Sequence, residues 1–277
     1  MEYLQAFVLG LVQGVTEFLP ISSTAHLKVV PVVLGWGDPG VAFSAVIQLG
    51  SIVAVLGYFG RDLRQICLGS LKALQQGKYH SLPLRLAVGI TLGTVPIVLA
   101  GVAIKIWLPD YDHSPLRSLG AIATASIVMG LLLAAAERWG TRHRDLPAVT
   151  LGDGIAMGVA QALALIPGVS RSGATLTAGL LLGMRRECAT RFSFLLGIPA
   201  ITLAGVVEGI GLGQHGVDTS WGVLGVGLVS ATVFSYLAIT WLLKFFQSHS
   251  AWVFIAYRLA FGALIWLAIA LGWLDNL

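Results

Sequence analysis

Two short polar stretches interrupt an otherwise apolar chain. In the first, QGVTEFLPISSTAH (13–26), Gln13 and Glu17 stand four residues apart, on one face of a helix. Pro20 ends that helix. Ser22, Ser23 and Thr24 are suited to capping the next one, with His26 one turn in, on the side of Ser22 or Ser23. In the second, IPGVSRSGAT (166–175), Pro167-Gly168 ends a helix; Ser170, Ser172 and Thr175 surround the start of its partner, and Arg171 sits at the break. Hydroxyls, an arginine and two helix N-termini are the groups that bind a phosphate-like anion. Glu17 would repel such an anion unless a divalent cation lies between them or the carboxylate takes part in proton transfer. Carboxylate, carbonyl and phosphate oxygens are the ligands that Mg²⁺ or Ca²⁺ prefers, and Gln13 can add a neutral carbonyl oxygen beside Glu17. Gln48, within the IQLGS stretch, is read as supporting the site, with a simple hydrogen bond between helices as the plainer alternative.

Each of these residues also has a plainer role: the hydroxyls as caps, His26 as a core imidazole, Glu17 as a structural carboxylate. The surroundings decide against that for Glu17. The chain has 277 residues, 56% of them hydrophobic and 11% charged, about half the charge of a soluble domain. Apolar runs of about 20 residues recur along it, so this is an all-α integral membrane protein. An ionisable group at membrane depth is costly and marks function by default.

Six stretches read as full spans, roughly 41–59, 86–108, 118–136, 192–212, 222–243 and 252–274. Arg61, Arg64, Lys72, Lys78 and Arg85 follow the first, Arg138, Arg142 and Arg144 the third, and Lys244 lies between the last two. The segments 109–117 and 213–221 and the C-terminal tail are poor in basic residues. The positive-inside rule places the first group in the cytoplasm and the second outside. The net charge of +4 therefore reports topology and implies no nucleic acid. Lys28, Lys105, Glu137 and Glu208 are read as anchors near span ends, and Trp107, Trp221 and Trp273 as an interfacial belt. Cys67 and Cys188 are read as free thiols on the cytoplasmic side. The run from Tyr3 to Leu19 has neither a basic start nor a cleavage site and is read as part of the mature protein.

The polar stretches fall in segments 3–34 and 152–184, each broken in the middle and too short for two crossings. Irregular backbone at membrane depth must be covered by protein, so both are expected to be re-entrant helix–loop–helix hairpins. The first enters from outside and the second from the cytoplasm. Gln13 matches Gln161, Pro20 matches Pro167 and Ser22 matches Ser170, while FSAVIQLGSI (43–52) aligns with FSFLLGIPAI (192–201). A single membrane domain of two inverted halves, about 1–140 and 148–277, follows. Each half has one hairpin and three spans, with the site where the broken helices meet.

The stretches QGVTEFLPISSTAH, VIQLGS (46–51), PGVSRSGAT (167–175) and GMRRECATRFSFLL (183–196) closely resemble the bacterial undecaprenyl-pyrophosphate phosphatase family, also called the bacitracin-resistance protein family. The resemblance extends over essentially the whole chain. It implies a multi-pass enzyme of the bacterial inner membrane. Such an enzyme removes the terminal phosphate of a C55 isoprenoid pyrophosphate, regenerating the monophosphate carrier for cell-wall polymers. It also implies a Mg²⁺ or Ca²⁺ cofactor, an active site towards the periplasmic side, and in some members a homodimer. The family's Glu/Gln-x-x-x-Glu motif falls on Gln13 and Glu17; with Gln at the first position, Glu17 carries more of any metal binding or proton transfer. Its serine–histidine element falls on Ser22, Ser23 and His26, and its PGxSRS element on Pro167 to Ser172, with Arg171 as phosphate binder. The expected mechanism is metal-assisted phosphoryl transfer. Either Ser23 attacks, with His26 moving protons, or activated water attacks while Ser23 binds phosphate. The competing class is a carrier, either a lipid-phosphate flippase or a phosphate-coupled secondary transporter, since broken helices in inverted repeats serve transport widely.

Overall fold

A computed structural model describes residues 1–37, 40–108, 110–111, 114–215 and 220–276. Ten α-helices form it: α1 (Tyr3–Phe18), α2 (Ser23–Val33), α3 (Gly40–Gln75), α4 (Leu82–Trp107), α5 (Leu119–Trp139), α6 (Leu151–Ala162), α7 (Arg171–Leu181), α8 (Arg186–His215), α9 (Trp221–Ser248) and α10 (Trp252–Ala270). Six of these, α3, α4, α5, α8, α9 and α10, are long and apolar enough to cross a membrane. The chain is a multi-pass membrane protein.

The two expected hairpins are helix–break–helix units, α1–α2 and α6–α7. Leu19 ends α1 in the extended backbone (φ −69°, ψ 146°) that the following Pro20 imposes. In the second hairpin a single 3₁₀ turn, Leu163–Leu165, precedes Pro167. A capping box of Thr150 and Asp153 starts α6. The arms lie unusually close to their neighbours because small residues line the contacts. A Cβ on Gly10 would stand 2.5 Å from the Gly227 carbonyl of α9, and one on Gly154 would stand 2.6 Å from the Gly89 carbonyl of α4. Thus α1 packs on α9 and α6 on α4, while α5 and α10 pack on each other.

Three expectations change. The helix that carries the first span does not stop near residue 59. α3 continues through Arg61, Arg64 and Lys72 to Gln75, because Ile66, Ser70 and Ala73 prolong its buried stripe beyond the apolar run. Second, α8 begins at Arg186, well before residue 192. Third, Glu137 is no interfacial anchor: it is buried and accepts from Arg186 Nε through both carboxylate oxygens (3.0 and 3.1 Å), tying the end of α5 to the start of α8. Lys28 donates to the Arg117 carbonyl. The anchor reading of Glu208 concerns a side chain outside the described residues. Trp107, Trp221 and Trp273 are exposed at helix ends, as an interfacial belt requires.

The main core lies beside the first break. Phe18 meets Phe194 edge-on at 5.3 Å between ring centres, and Phe59 meets the same ring at 6.2 Å. Leu176, Leu180 and Phe192 fill the space between α7 and α8. Both hairpins are therefore seated on a fully buried apolar layer, which fixes where their polar tips meet.

Candidate active site

The two breaks, far apart in sequence, are brought into direct contact. Arg171 Nη2 reaches Glu17 Oε1 at 3.3 Å, with both side chains only 9% exposed. Ser172 Oγ donates to the Leu19 carbonyl at 2.9 Å. Arg258 of α10, 1% exposed, donates through Nη1 to the Pro20 carbonyl (3.0 Å) and through Nη2 to the Gly168 carbonyl (2.7 Å). Its Nε holds the Ser126 carbonyl of α5 at 3.1 Å. One guanidinium thus satisfies carbonyls freed at both breaks, which would otherwise be buried without partners.

The break residues share an uncommon backbone. Ser22 (φ 76°, ψ 103°) and Ser170 (φ 70°, ψ 117°) both have positive φ, a region that costs a non-glycine residue about 1–3 kcal/mol. Each turns the chain sharply into the first residue of a helix. Their side chains then diverge. Ser170 Oγ accepts from the Gly173 amide (3.1 Å) and caps α7, whereas the Ser22 hydroxyl pairs with Thr24 Oγ1 (3.1 Å) and leaves α2 without a side-chain cap.

Glu17 is the hub. Its Oε2 accepts from Ser23 Oγ at 2.6 Å and from Gln13 Nε2 at 3.2 Å, while Oε1 faces Arg171. Gln13 also donates to Gln48 Oε1 (2.6 Å) and to Ser51 Oγ (3.3 Å), and Ser235 of α9 donates to Ser51 (2.9 Å). A chain of polar groups on α1, α3 and α9, Gln48 among them, therefore orients the carboxylate from behind.

His26 is placed differently from Ser23. Its Nδ1 lies 2.7 Å from the Ser22 carbonyl and its Nε2 lies 2.6 Å from the Tyr257 hydroxyl. The ring stacks against Phe261 at 4.5 Å and Tyr257 at 5.6 Å. Its two nitrogens hold the strained Ser22 backbone against α10. Ser23, the next residue, instead faces Glu17. Of the remaining hydroxyls, Thr175 is fully buried and bonds to the Arg171 carbonyl (2.8 Å) and to Ser193 of α8. Ser172 and Ser170 are likewise engaged within the protein, and Thr24 is exposed. Arg171 Nη1, by contrast, is buried and has no hydrogen-bond partner among the described residues.

For a divalent cation, the donor set is one carboxylate flanked by neutral amides. No group of three or more His, Cys, Asp or Glu residues occurs among the described residues. That composition leaves Glu17 as the anionic group that a hard cation could take as a ligand, with the remaining ligands to come from outside the protein. The Gln13 amide presents Nε2 to Glu17, so its carbonyl oxygen becomes a ligand only when the amide turns over.

Arg258, Tyr257, Ser51 and Ser235 join the site only through the fold. Arg258 left a signal, an arginine inside an apolar span, which at membrane depth marks a residue with a specific partner. An open apolar trough of about 500 Å³ runs along α5 past Ala121, Ala125 and Met129 and ends at Ile166 and Val169, which flank the second break.

The family model described as bacitracin resistance protein BacA matches residues 6–264. The undecaprenyl-diphosphatase of Synechococcus elongatus is 60% identical over 278 residues, covering 100% of this chain and 96% of that protein. The protein of the same name from a Nostoc species is 62% identical and covers 100% of this chain and 87% of its own length. The one from Trichodesmium erythraeum is 55% identical over 98% of this chain and 88% of its own.

Proposed function

The chain belongs to the bacitracin resistance protein BacA family, and on that premise we propose how its buried polar site works as an undecaprenyl-diphosphatase. The enzyme hydrolyses the lipid pyrophosphate to the monophosphate carrier and inorganic phosphate. The observation that carries the mechanism is the Ser23–Glu17 contact: a hydroxyl donating to a carboxylate at 2.6 Å is a nucleophile already joined to its base. A carrier that only binds phosphate needs no such pair.

Ser23 Oγ attacks the terminal phosphorus, and its proton passes to Glu17 Oε2. The bond from that phosphorus to the bridging oxygen breaks, and the lipid monophosphate leaves. The departing monophosphate takes that proton from Glu17, which then accepts one from the water attacking the seryl phosphorus and returns it to Ser23 Oγ as the bond from phosphorus to Oγ breaks. Arg171 binds the terminal phosphoryl oxygens through Nη1 while Nη2 keeps Glu17 in place. The uncapped N-terminus of α2 offers further amide donors to the same oxygens. Ser22, Thr24, Ser170, Ser172 and Thr175 are bonded within the two breaks and hold them in shape around the substrate phosphate. His26 acts by fixing the Ser22 turn that aims Ser23. Glu17 and the amide of Gln13 would hold Mg²⁺ or Ca²⁺, which would supply neutralisation of the pyrophosphate charge.

The prenyl tail needs an apolar path to lipid, and the trough along α5 supplies one. We also read the halves as an inverted repeat, with the first hairpin entering from the outer side and the site facing the periplasm. The shared backbone of Ser22 and Ser170 and the reciprocal packing of α1 on α9 and α6 on α4 support this reading.

The test is phosphate release from undecaprenyl pyrophosphate by the purified protein, with and without EDTA, alongside Glu17→Ala and Arg171→Ala. Release that stops on chelation and in both variants supports the assignment. Undiminished release with EDTA would remove the cation from the mechanism, and undiminished release in Glu17→Ala would remove the base.

A further inference from the structure

Gly197 lies in the middle of α8, buried, in the stretch LLGIPA. A glycine there is an unfavourable choice for a helix interior, since alanine would serve the helix better. What occupies the space of its missing side chain is Arg171. A Cβ built on Gly197 would overlap Arg171 Nη1 outright and would stand 2.7 Å from Cζ and 3.4 Å from Nη2. All three of the nearest atoms belong to that one guanidinium. The aligned position in the first half is Gln48, a side chain that reaches the Gln13–Glu17 network. The second half thus has empty space where the first has an amide, and the guanidinium fills it.

We infer that Gly197 is a positioning residue for hydrolysis: its lack of a side chain lets Arg171 lie against α8 with Nη2 on Glu17 and Nη1 left for the substrate phosphate. This rests on the reading of Arg171 as the phosphate binder. The atom that a Cβ at residue 197 would displace is Nη1, the buried donor without a partner among the described residues. Glu17 would lose its guanidinium at the same time, because the planar fork moves as a unit. No other atom lies among the three nearest, so the cost of a methyl group falls on the site and not on the helix packing.

The experiment compares the full-length wild type with Gly197→Ala, Arg171→Ala and the double variant. It reads kcat/KM on undecaprenyl pyrophosphate and thermal unfolding in detergent. Gly197→Ala is expected to lose about 10²-fold in kcat/KM, as misplacing a catalytic group does, with its Tm unchanged or raised. In the Arg171→Ala background the same methyl group is expected to change neither quantity, because the group it collides with is gone. Wild-type kcat/KM in Gly197→Ala, with Arg171→Ala inactive, would overturn the positioning role and leave the Arg171 assignment standing. An active Arg171→Ala would instead overturn the Arg171 assignment and the proposal with it. If Gly197→Ala does not fold, recovery of folding in the double variant supports the contact, and failure to recover overturns it.

Discussion

Arg258 Nη1 lies 3.0 Å from the carbonyl oxygen of Pro20, deep in the protein, and its Nη2 lies 2.7 Å from the Gly168 carbonyl. A buried cation donating to the carbonyls of two separate breaks holds the hairpin tips together. Charge-assisted hydrogen bonds contribute about 1.5–3 kcal/mol each, so removing these two costs ~3–6 kcal/mol. Arg258→Met should therefore lower Tm strongly, and Arg258→Lys should recover part of the loss, since Lys can donate to one break but not bridge both. Differential scanning fluorimetry in detergent checks this; an unchanged Tm in Arg258→Met would show that the breaks hold without it.

Ser23 and Glu17 act as a pair, so their losses should not add. Ser23→Ala and Glu17→Gln are each expected to reduce kcat by about 10²–10⁴-fold, and the double variant should be little worse than the poorer single one. Rapid quenching of wild type with substrate labelled at the terminal phosphate should yield phosphoserine at residue 23. A labelled protein with phosphate elsewhere, or most of kcat surviving in Ser23→Ala, would assign the attack to water.

The trough along α5 makes its own prediction. Ala121→Trp would narrow it at a lining residue, and Glu17, Ser23 and Arg171 are not among the residues that line it. If the proximal isoprene units lie there, KM should rise with kcat unchanged, the mark of lost uniform binding. Steady-state kinetics on a C15 and a C55 pyrophosphate separate this from a general defect. An unchanged KM on both substrates would place the tail elsewhere.

At the mouth of the second hairpin, Arg144 Nη2 meets Asp153 Oδ2 at 2.5 Å, and Thr150 donates to the same oxygen through its amide (2.7 Å) and hydroxyl (2.9 Å). Burial by itself raises the Asp153 carboxyl, but Arg144 and Thr150 outweigh it and hold the group below its ordinary value of 3.8. A depressed carboxyl stabilises the fold fully above its unfolded value, and the contribution is lost as pH falls through the lower folded value. Tm should accordingly drop in wild type below about pH 4. Asp153→Asn should start lower at neutral pH and show a smaller acid-induced drop. An equally steep drop in that variant would assign the acid sensitivity to other carboxylates.

Much of this protein was legible in the chain because lipid penalises polar groups wherever they stand. Glu17, Arg171 and the hydroxyls beside Pro20 and Pro167 could be singled out as a site from local composition alone, and the proline breaks made both hairpins readable. Neighbouring hydroxyls were harder. Ser22, Ser23 and Thr24 differ by about 100° around a helix axis, so which one meets Glu17 depends on the backbone turn at Ser22, where φ is 76°. That turn sends Ser23 to Glu17 and His26 to Tyr257, although the sequence places serine and histidine on one side. Arg258 and Gly197 were hidden for a different reason. The partners of Arg258 are backbone carbonyls, which every residue carries, and the role of Gly197 is a space that only the fold of another segment fills. The amino-acid sequence by itself determined which polar groups interrupt the apolar runs and where the helices break. Their pairing was decided by the packing of α7, α8 and α10 against the first hairpin, because contacts between distant segments exist only once those helices share one core.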